Sequence, residues 1–355
     1  MGSAVAIRGD TVASGLPNFD GIVGTNQGLG ITFTRTGTSW AAGEHFSVNE
    51  AQAGASLGTS IAMSDEYVAA GASSYSRPGF GFAGASYALR RIDGTPARTM
   101  TIAAPAPQTD DNFGNRMASD GTRLVVGAHN EDGGAGTNQG AVYVYRFADE
   151  SFVLEQKLLP LTPQSNAEFG KAVAVDGTTI IIGAPKEDDG VADAGAAYVF
   201  VLSGSTWSQQ ARLASPEPAA PNQFGYSVAI SGNRAIIGSP FDDFVVSATN
   251  FLDAGSADSY LRTGTSWSAE RKFTESSPTQ SDYAGWSVGV DGDSVLVGIP
   301  NYDTTASPVQ DAGGARFYRW NGTAWITFTA IPGSADNHEF GIAISARNNL
   351  FAIGG

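Results

Sequence analysis

The chain has 355 residues, a formal net charge of −15 and only 15% charged residues, a balance that argues against phosphate backbones and anionic lipid surfaces as partners. It contains no cysteine, so disulfides and thiolate metal sites are excluded from its architecture. No apolar run approaches the ~18 residues of a membrane helix, and the opening MGSAVAIRGD lacks the basic-then-apolar pattern of a signal peptide.

In chain order, the first segment, MGSAVAIRGDTVASGLP, reads as two short strands around a turn at Gly9, and GITFTRTG and TSWAAGEHFS follow as a third and fourth strand. The frame returns as LGTSIAMSDEYVAAGAS from Leu57, FGNRMASDGTRLVVGAH from Phe113 and FGKAVAVDGTTIIIGAP from Phe169. It continues as FGYSVAISGNRAIIGSP from Phe224, AGWSVGVDGDSVLVGIP from Ala284 and, cut short, FGIAISARNNLFAIGG from Phe340. The opening glycines, Gly2, Gly58, Gly114, Gly170, Gly225, Gly285 and Gly341, stand 55–60 residues apart, a period in the range of propeller blades. Seven places after each comes Gly9, Asp65, Gly121, Gly177, Gly232, Gly292 or Asn348, residue types that tolerate positive φ and mark a tight hairpin between flanking strands. The tripeptide Arg8-Gly9-Asp10, a sequence known as a cell-attachment signal, occupies this slot and is therefore first a hairpin turn.

Further along each copy, pairs such as AAYVFVLSG with STWSQQARLAS, or GARFYRWNG with TAWITFTAI, supply the outer two strands. Trp40, Trp207, Trp267 and Trp325 open the fourth strand, where they are expected to fill space between neighbouring sheets. Small residues such as Ala172 and Ala174 flank a branched one in the first strand, as a crowded inner strand requires. The expected fold is all-β: a single β-propeller domain over residues 1–355, built of four-stranded antiparallel blades. Its units are 2–56, 57–112, 113–168, 169–223, 224–283, 284–339 and a partial 340–355. Seven inner strands predict seven blades, the last incomplete; the alternative is six blades with an extra hairpin. The half-built copy is expected to leave an unpaired edge open to self-association.

The Phe-Gly and Gly-Ala-Pro elements, literal at Phe169-Gly170 and Gly183-Ala184-Pro185, recur at fixed separation through essentially the whole chain. This pattern resembles the FG-GAP repeat, which builds the β-propeller of integrin α-subunits and of many bacterial surface or secreted proteins. The resemblance implies a secreted or cell-surface location, with the leader absent from this chain, and a binding or adhesion module for a glycan or protein. Calcium-binding integrin blades carry a DxDxDG-like loop; none occurs here, and the DGD of Asp291 to Asp293 falls in the hairpin-turn slot.

The loop between the second and third strands varies while its ends hold. Asp20, Asp132, Asp188, Asp243 and Asp303 lie near its start, matched by Asn26, Asn138, Asp193, Asp253 and Asp311 near its end. Such pairs are candidate Ca²⁺ ligands, with Asp188, Asp193, Asp132, Asn138, Asp303 and Asp311 the strongest, although calcium requires more oxygens than one pair supplies. The other reading is that they bond nearby backbone N–H groups and hold the loop rigid. The second loop replaces the pair by Ser76 and Phe82 and presents Tyr75, Arg77 and Phe80; the longer fifth loop adds Phe241, Phe244 and Phe251. Aromatics on variable loops suit partner contact, and these six are the candidate ligand-binding residues. For catalysis, His129-Asn130-Glu131-Asp132 and Asn337-His338-Glu339 are expected at one end of the propeller, where carboxylate and imidazole would serve acid–base chemistry; His45 reads as structural. The functional expectation is an extracellular binding module, followed by a propeller hydrolase or lyase acting on a polysaccharide or phosphate ester, and then by a structural domain of a larger surface protein.

Overall fold

A computed structural model describes residues 2–47, 52–92, 95–246, 249–275, 278–303, 312–333 and 339–355. Short apolar segments separated by turn-forming residues fold into antiparallel hairpins, and consecutive hairpins join into sheets. The first copy forms the strands Ala4–Arg8, Thr11–Leu16, Leu29–Thr36 and Ser39–Phe46, hydrogen-bonded in that order. The second forms Leu57–Met63, Tyr67–Ala72, Ala85–Ile92 and Thr95–Ile102, and the third Arg116–Ser119, Arg123–Ala128, Ala141–Ala148 and Ser151–Leu158. The fourth contributes Ala172–Asp176, Thr179–Ala184, Ala196–Ser203 and Thr206–Leu213. In the fifth, Ser227–Ser231, Arg234–Ser239, Ser256–Thr263 and Ser266–Phe273 make the sheet, while Phe244–Val246 and Thr249–Phe251 form a separate small hairpin in the loop. The sixth has Val288–Asp291, Ser294–Ile299 and Gly314–Trp320, with its fourth strand in two pieces, Trp325–Thr327 and Ile331–Pro332.

The propeller therefore has six four-stranded antiparallel blades rather than seven. The seventh copy contributes the two-stranded sheet Ala343–Arg347 with Leu350–Gly354. This is the six-bladed alternative with an extra hairpin. The hairpin turns follow the sequence expectation at Gly9, Gly121, Gly177, Gly232, Gly292 and Asn348, all at positive φ. At Asp65 the turn is made otherwise: the Ser64 hydroxyl accepts the N–H groups of Glu66 and Tyr67, each at 3.0 Å.

By contact density the chain divides into two compact units, Met1–Gly177 and Thr178–Gly355. In the first, Tyr67, Met100 and Ile102 of the second blade pack with Phe113, Leu124, Val126 and Tyr143 of the third. A second cluster joins Ala13 and Phe46 to Leu57, Ile61 and Val68. In the second unit, Ile181, Val199 and Leu213 pack with Phe224, Ile237 and Tyr260, while Phe273 packs with Val288, Val295, Tyr318 and Trp325. Each cluster lies between successive sheets, so within each unit successive blades bury apolar faces on one another. The second strands of the second, fourth, fifth and sixth blades are buried along their whole length, as at Tyr67–Ala72 and Thr179–Ala184, the pattern of a strand covered on both faces. Of the four tryptophans, Trp207 and Trp325 are buried as expected, whereas Trp40 lies 44% exposed with the Arg35 guanidinium over its ring.

The recurrent glycines are explained by the approach of one blade to the next. A Cβ placed on Gly127 would stand only 2.2 Å from the carbonyl oxygen of Gly170, the opening glycine of the following copy. The same conflict sets Gly15 against Gly58, Gly71 against Gly114, Gly238 against Gly285 and Gly298 against Gly341. Because the obstacle is backbone, no rotamer relieves it. Seams are closed by hydrogen bonds as well: Ser60 donates to the Gly114 carbonyl at 2.6 Å and Ser287 to that of Gly341 at 2.6 Å. Beside each opening glycine, the Phe113 and Phe169 N–H groups donate to Ala83 and Gln139 of the preceding copy, both at 3.1 Å, and both rings are fully buried.

Candidate functional site: the loop end of the blades

The loops from second to third strand, and the connections from fourth strand to the next first strand, emerge at one end of each sheet. The acidic pairs are brought together there, two residues at a time. The Asp132 carboxylate accepts the Asn138 N–H at 2.9 Å, Asp188 that of Asp193 at 3.0 Å, Asp20 that of Asn26 at 2.9 Å and Asp243 that of Asp253 at 3.0 Å. In the second loop, which lacks the pair, Ser76 Oγ accepts the Phe82 N–H at 3.3 Å. The second partner takes a left-handed backbone each time, with φ between 48° and 53° at Asn26, Phe82, Asn138, Asp193 and Asp253. Asp303 is present at the corresponding start of the sixth loop, and Asp311 lies outside the described residues. Among the described residues no group of three or more His, Asp or Glu side chains is placed to hold a metal ion.

Beyond this frame the tips differ. Reciprocal backbone hydrogen bonds close two-residue tips between Gly21 and Gly24, Arg77 and Phe80, and Gly133 and Gly136. Gln27 and Gln139 reach under the first and third tips to accept the N–H groups of Val23 at 3.2 Å and Ala135 at 2.9 Å. The first tip leaves Ile22 and Val23 in solvent, and the second leaves Phe80 and Phe82 exposed. Of the other candidates in this loop, Tyr75 turns inward to meet Tyr87 edge-on at 6.0 Å, and Arg77 donates to the Ala104 carbonyl at 3.2 Å. In the fifth loop Phe244 and Phe251 are partners in the backbone register of the small hairpin, and Phe241 precedes it.

One residue before the first acid of each pair, the sequence alternates between Phe19, Tyr75 and Tyr302 in three copies and Glu131, Glu187 and Asp242 in the other three. The three carboxylates are buried. Glu131 accepts from Tyr143 at 2.7 Å and pairs with Lys157; Glu187 accepts from Tyr198 at 2.5 Å and Arg212 at 2.7 Å. Asp242 takes three donors: Asn222 at 2.8 Å, Ser256 at 2.6 Å and Lys272 at 2.7 Å. Each ties its loop to the outer strands beneath, and pairing is what makes such buried charge tolerable. Glu187 and Asp242 went unmarked in the sequence reading; the matched charges at corresponding fourth-strand positions, Lys157, Arg212 and Lys272, were the available signal.

Three further carboxyls at this end are shifted upward, with burial the leading cause. Asp111 is raised to about 6, with Glu131 and Asp132 adding to the rise and Lys157 opposing it. Asp258 is raised to about 7 despite Lys272, and Asp282 to about 6 although Thr279 bonds it. His129 is buried at the head of the third loop, His45 is exposed on a fourth strand, and Asn337 and His338 lie outside the described residues. At the opposite end, the tripeptide turn engages its own charges: Arg8 pairs with Asp65 at 2.5 Å, and Asp10 with Arg35 at 2.5 Å.

Sequence reasoning also missed an aromatic group in the second unit. Phe241 lies 6.0 Å from Tyr226 and 5.6 Å from Tyr283, while Trp286 lies 4.7 Å from Tyr226 and 5.9 Å from Tyr283, between ring centroids. All four rings are half-buried. Tyr226 and Trp286 follow the opening glycine directly, in a slot held elsewhere by Ser3, Thr59, Asn115, Lys171 and Ile342; that contrast was legible in the alignment of the copies.

The FG-GAP repeat family matches residues 98–145, 152–200 and 207–257. The chain is a β-propeller that carries FG-GAP repeats. Each FG-GAP match runs from a fourth strand through the first two strands of the next blade into its third, so the repeat as matched is offset by one strand from the blade. No curated protein matches the chain. Among solved structures, the FG-GAP chain is similar in fold to the periplasmic gluconolactonase PpgL of Pseudomonas aeruginosa. The TM-score is 0.56 at 13% identity, over 99% of this chain and 88% of that one.

Proposed function

We propose that this chain is an extracellular recognition module, secreted or held at a cell surface, that engages a glycan or protein through the loop end of its blades. The observation that carries the reading is the division within each loop between a repeated frame and a varied tip. Side-chain bonds such as Asp132 to Asn138 and Ser76 to Phe82 recur, while the tips expose Ile22, Val23, Phe80 and Phe82. Rigidly held loops with varied tips lose little entropy on binding.

A second reading, hydrolysis or elimination by loop carboxylates, draws on Asp111, whose pKa of about 6 suits acid–base work, and on the lactonase name of the similar structure. Asp111 is only 1% exposed, which favours binding, since a general acid or base must come within ~3 Å of its substrate. The test is adhesion to a glycan array and to immobilised matrix proteins. Binding is expected to fall when Ile22, Val23 and Phe80 are changed to serine, and to persist in Thr38→Lys with Ser205→Lys at the opposite end. Loss only in the latter pair would refute the loop-end reading. Hydrolysis of glucono-1,5-lactone that Asp111→Asn abolishes would support the enzyme instead.

A further inference from the structure

We propose that Tyr226, Phe241, Tyr283 and Trp286 form a stacking platform for the pyranose ring of a neutral glycan. The proposal rests on the recognition reading and names its partner class. Five of the six ring pairs lie 4.7–6.4 Å apart and make one continuous aromatic group, yet each ring remains half-exposed, unlike the fully buried Phe113, Phe169 and Phe224 of the blade seams. The fold does not require them, since other copies place serine, threonine, asparagine, lysine or isoleucine in the slot of Tyr226 and Trp286.

Two polar groups of the platform, on Tyr283 and Trp286, differ from those of the blade tyrosines. The hydroxyls of Tyr143, Tyr198, Tyr260 and Tyr318 all donate to protein oxygens. The Tyr283 hydroxyl and the Trp286 indole N–H make no hydrogen bond to a described residue, which leaves them for a ligand. A sugar ring presents one face of weakly positive C–H groups to the negative face of an aromatic ring, with hydroxyls around its rim. Asp243, exposed, and Asp253, half-buried, stand in the same loop as Phe241 and offer acceptors to such hydroxyls. Together with the net charge of −15, they disfavour an anionic ligand.

The platform is also held in place before any ligand arrives. Asp242, next to Phe241, is fixed by its three donors from Asn222, Ser256 and Lys272. Asp282, next to Tyr283, accepts both the N–H of Thr279 at 2.6 Å and its hydroxyl at 2.5 Å. Rings fixed in advance bind without an ordering cost.

The experiment is calorimetric titration of the whole chain with neutral gluco-, manno-, galacto- and xylo-oligosaccharides, alongside thermal melts of every variant. At least one series is expected to bind, with affinity reduced about tenfold or more in Trp286→Ala and Tyr283→Ala and largely retained in Trp286→Phe, which keeps a ring. If Trp286→Ala fails to fold, Trp286→Phe combined with Phe241→Leu takes its place, with the same loss expected. Absence of binding by the parent at millimolar sugar, or equal binding by Trp286→Ala, would overturn the platform. Binding that is instead lost in Phe80→Ser would leave the loop-end reading standing and the platform refuted; binding lost only in Thr38→Lys with Ser205→Lys would remove both.

Discussion

At the scale of single residues, the acidic pairs are the test case for what a carboxylate does in these loops. Asp188 Oδ1 accepts the N–H of Asp193 at 3.0 Å, where Asp193 sits at φ 51°, so the bond stabilises a backbone turn that extended residues do not make. An asparagine retains that acceptor without the charge, whereas alanine leaves the N–H without it. Asp188→Asn is therefore expected to melt near the parent in EDTA, and Asp188→Ala to lose about 1 kcal/mol, seen as a lower midpoint in urea. A rise in Tm with millimolar calcium that Asp188→Asn removes would reassign the pair as a metal site, because calcium discriminates strongly between carboxylate and amide oxygens of one site.

At the scale of elements, the second strand of each blade and the opening of the next first strand are locked by backbone proximity. Gly127 shows this best, since its missing Cβ makes room for the Gly170 carbonyl, and the Gly114 N–H donates to Gly127 from the same blade at 2.9 Å. Gly127→Ala must push two sheets apart, breaking the packing of Leu124 and Val126 that lies beside it. The expected loss is at least about 3 kcal/mol, in the range of severe core defects, or a chain that does not fold. Gly134, on the tip of the third loop, has open space where a Cβ would stand, so Gly134→Ala is expected to fall within about 0.5 kcal/mol of the parent. Equal effects in urea denaturation would show that the glycine of the second strand serves something other than blade contact.

For the molecule as a whole, the buried acids set the pH dependence. Asp111, Asp258 and Asp282 have folded-state pKa values of about 6, 7 and 6, against 3.8 for an ordinary aspartate, and burial is the first cause in each. A carboxyl raised on folding binds its proton more tightly in the folded chain. Between about pH 4 and 7, the folded chain therefore holds protons that the unfolded chain has released, and stability falls as pH rises through that window. Above it the cost is complete, and below it the cost vanishes. Self-repulsion at a net charge of −15 acts in the same direction. Tm is expected to be higher at pH 5 than at pH 8 at constant ionic strength. Asp258→Asn should remove part of that slope, raising Tm at pH 8 and hardly at all near pH 4, because Lys272 keeps Asp242 and Glu217 as partners. A Tm that climbs steadily from pH 5 to pH 8 would contradict the upward shifts.

The repeat, its hairpin turns and its sheet class were all legible in the sequence, because each copy states them locally: strand periodicity on both sides of a residue that tolerates positive φ, seven times over. The same locality explains why Gly9 read as a turn before it read as part of an adhesive tripeptide. Other features depend on residues far apart in sequence. That Gly127 and Gly170 touch, that Lys157 reaches Glu131, and that Tyr226 and Trp286, 60 residues apart in sequence, lie 4.7 Å apart follow from blade-on-blade packing, which no single copy encodes. The count of complete blades belongs with these: seven opening motifs are a property of the string, but a blade exists only where four strands hydrogen-bond, and six sheets meet that condition.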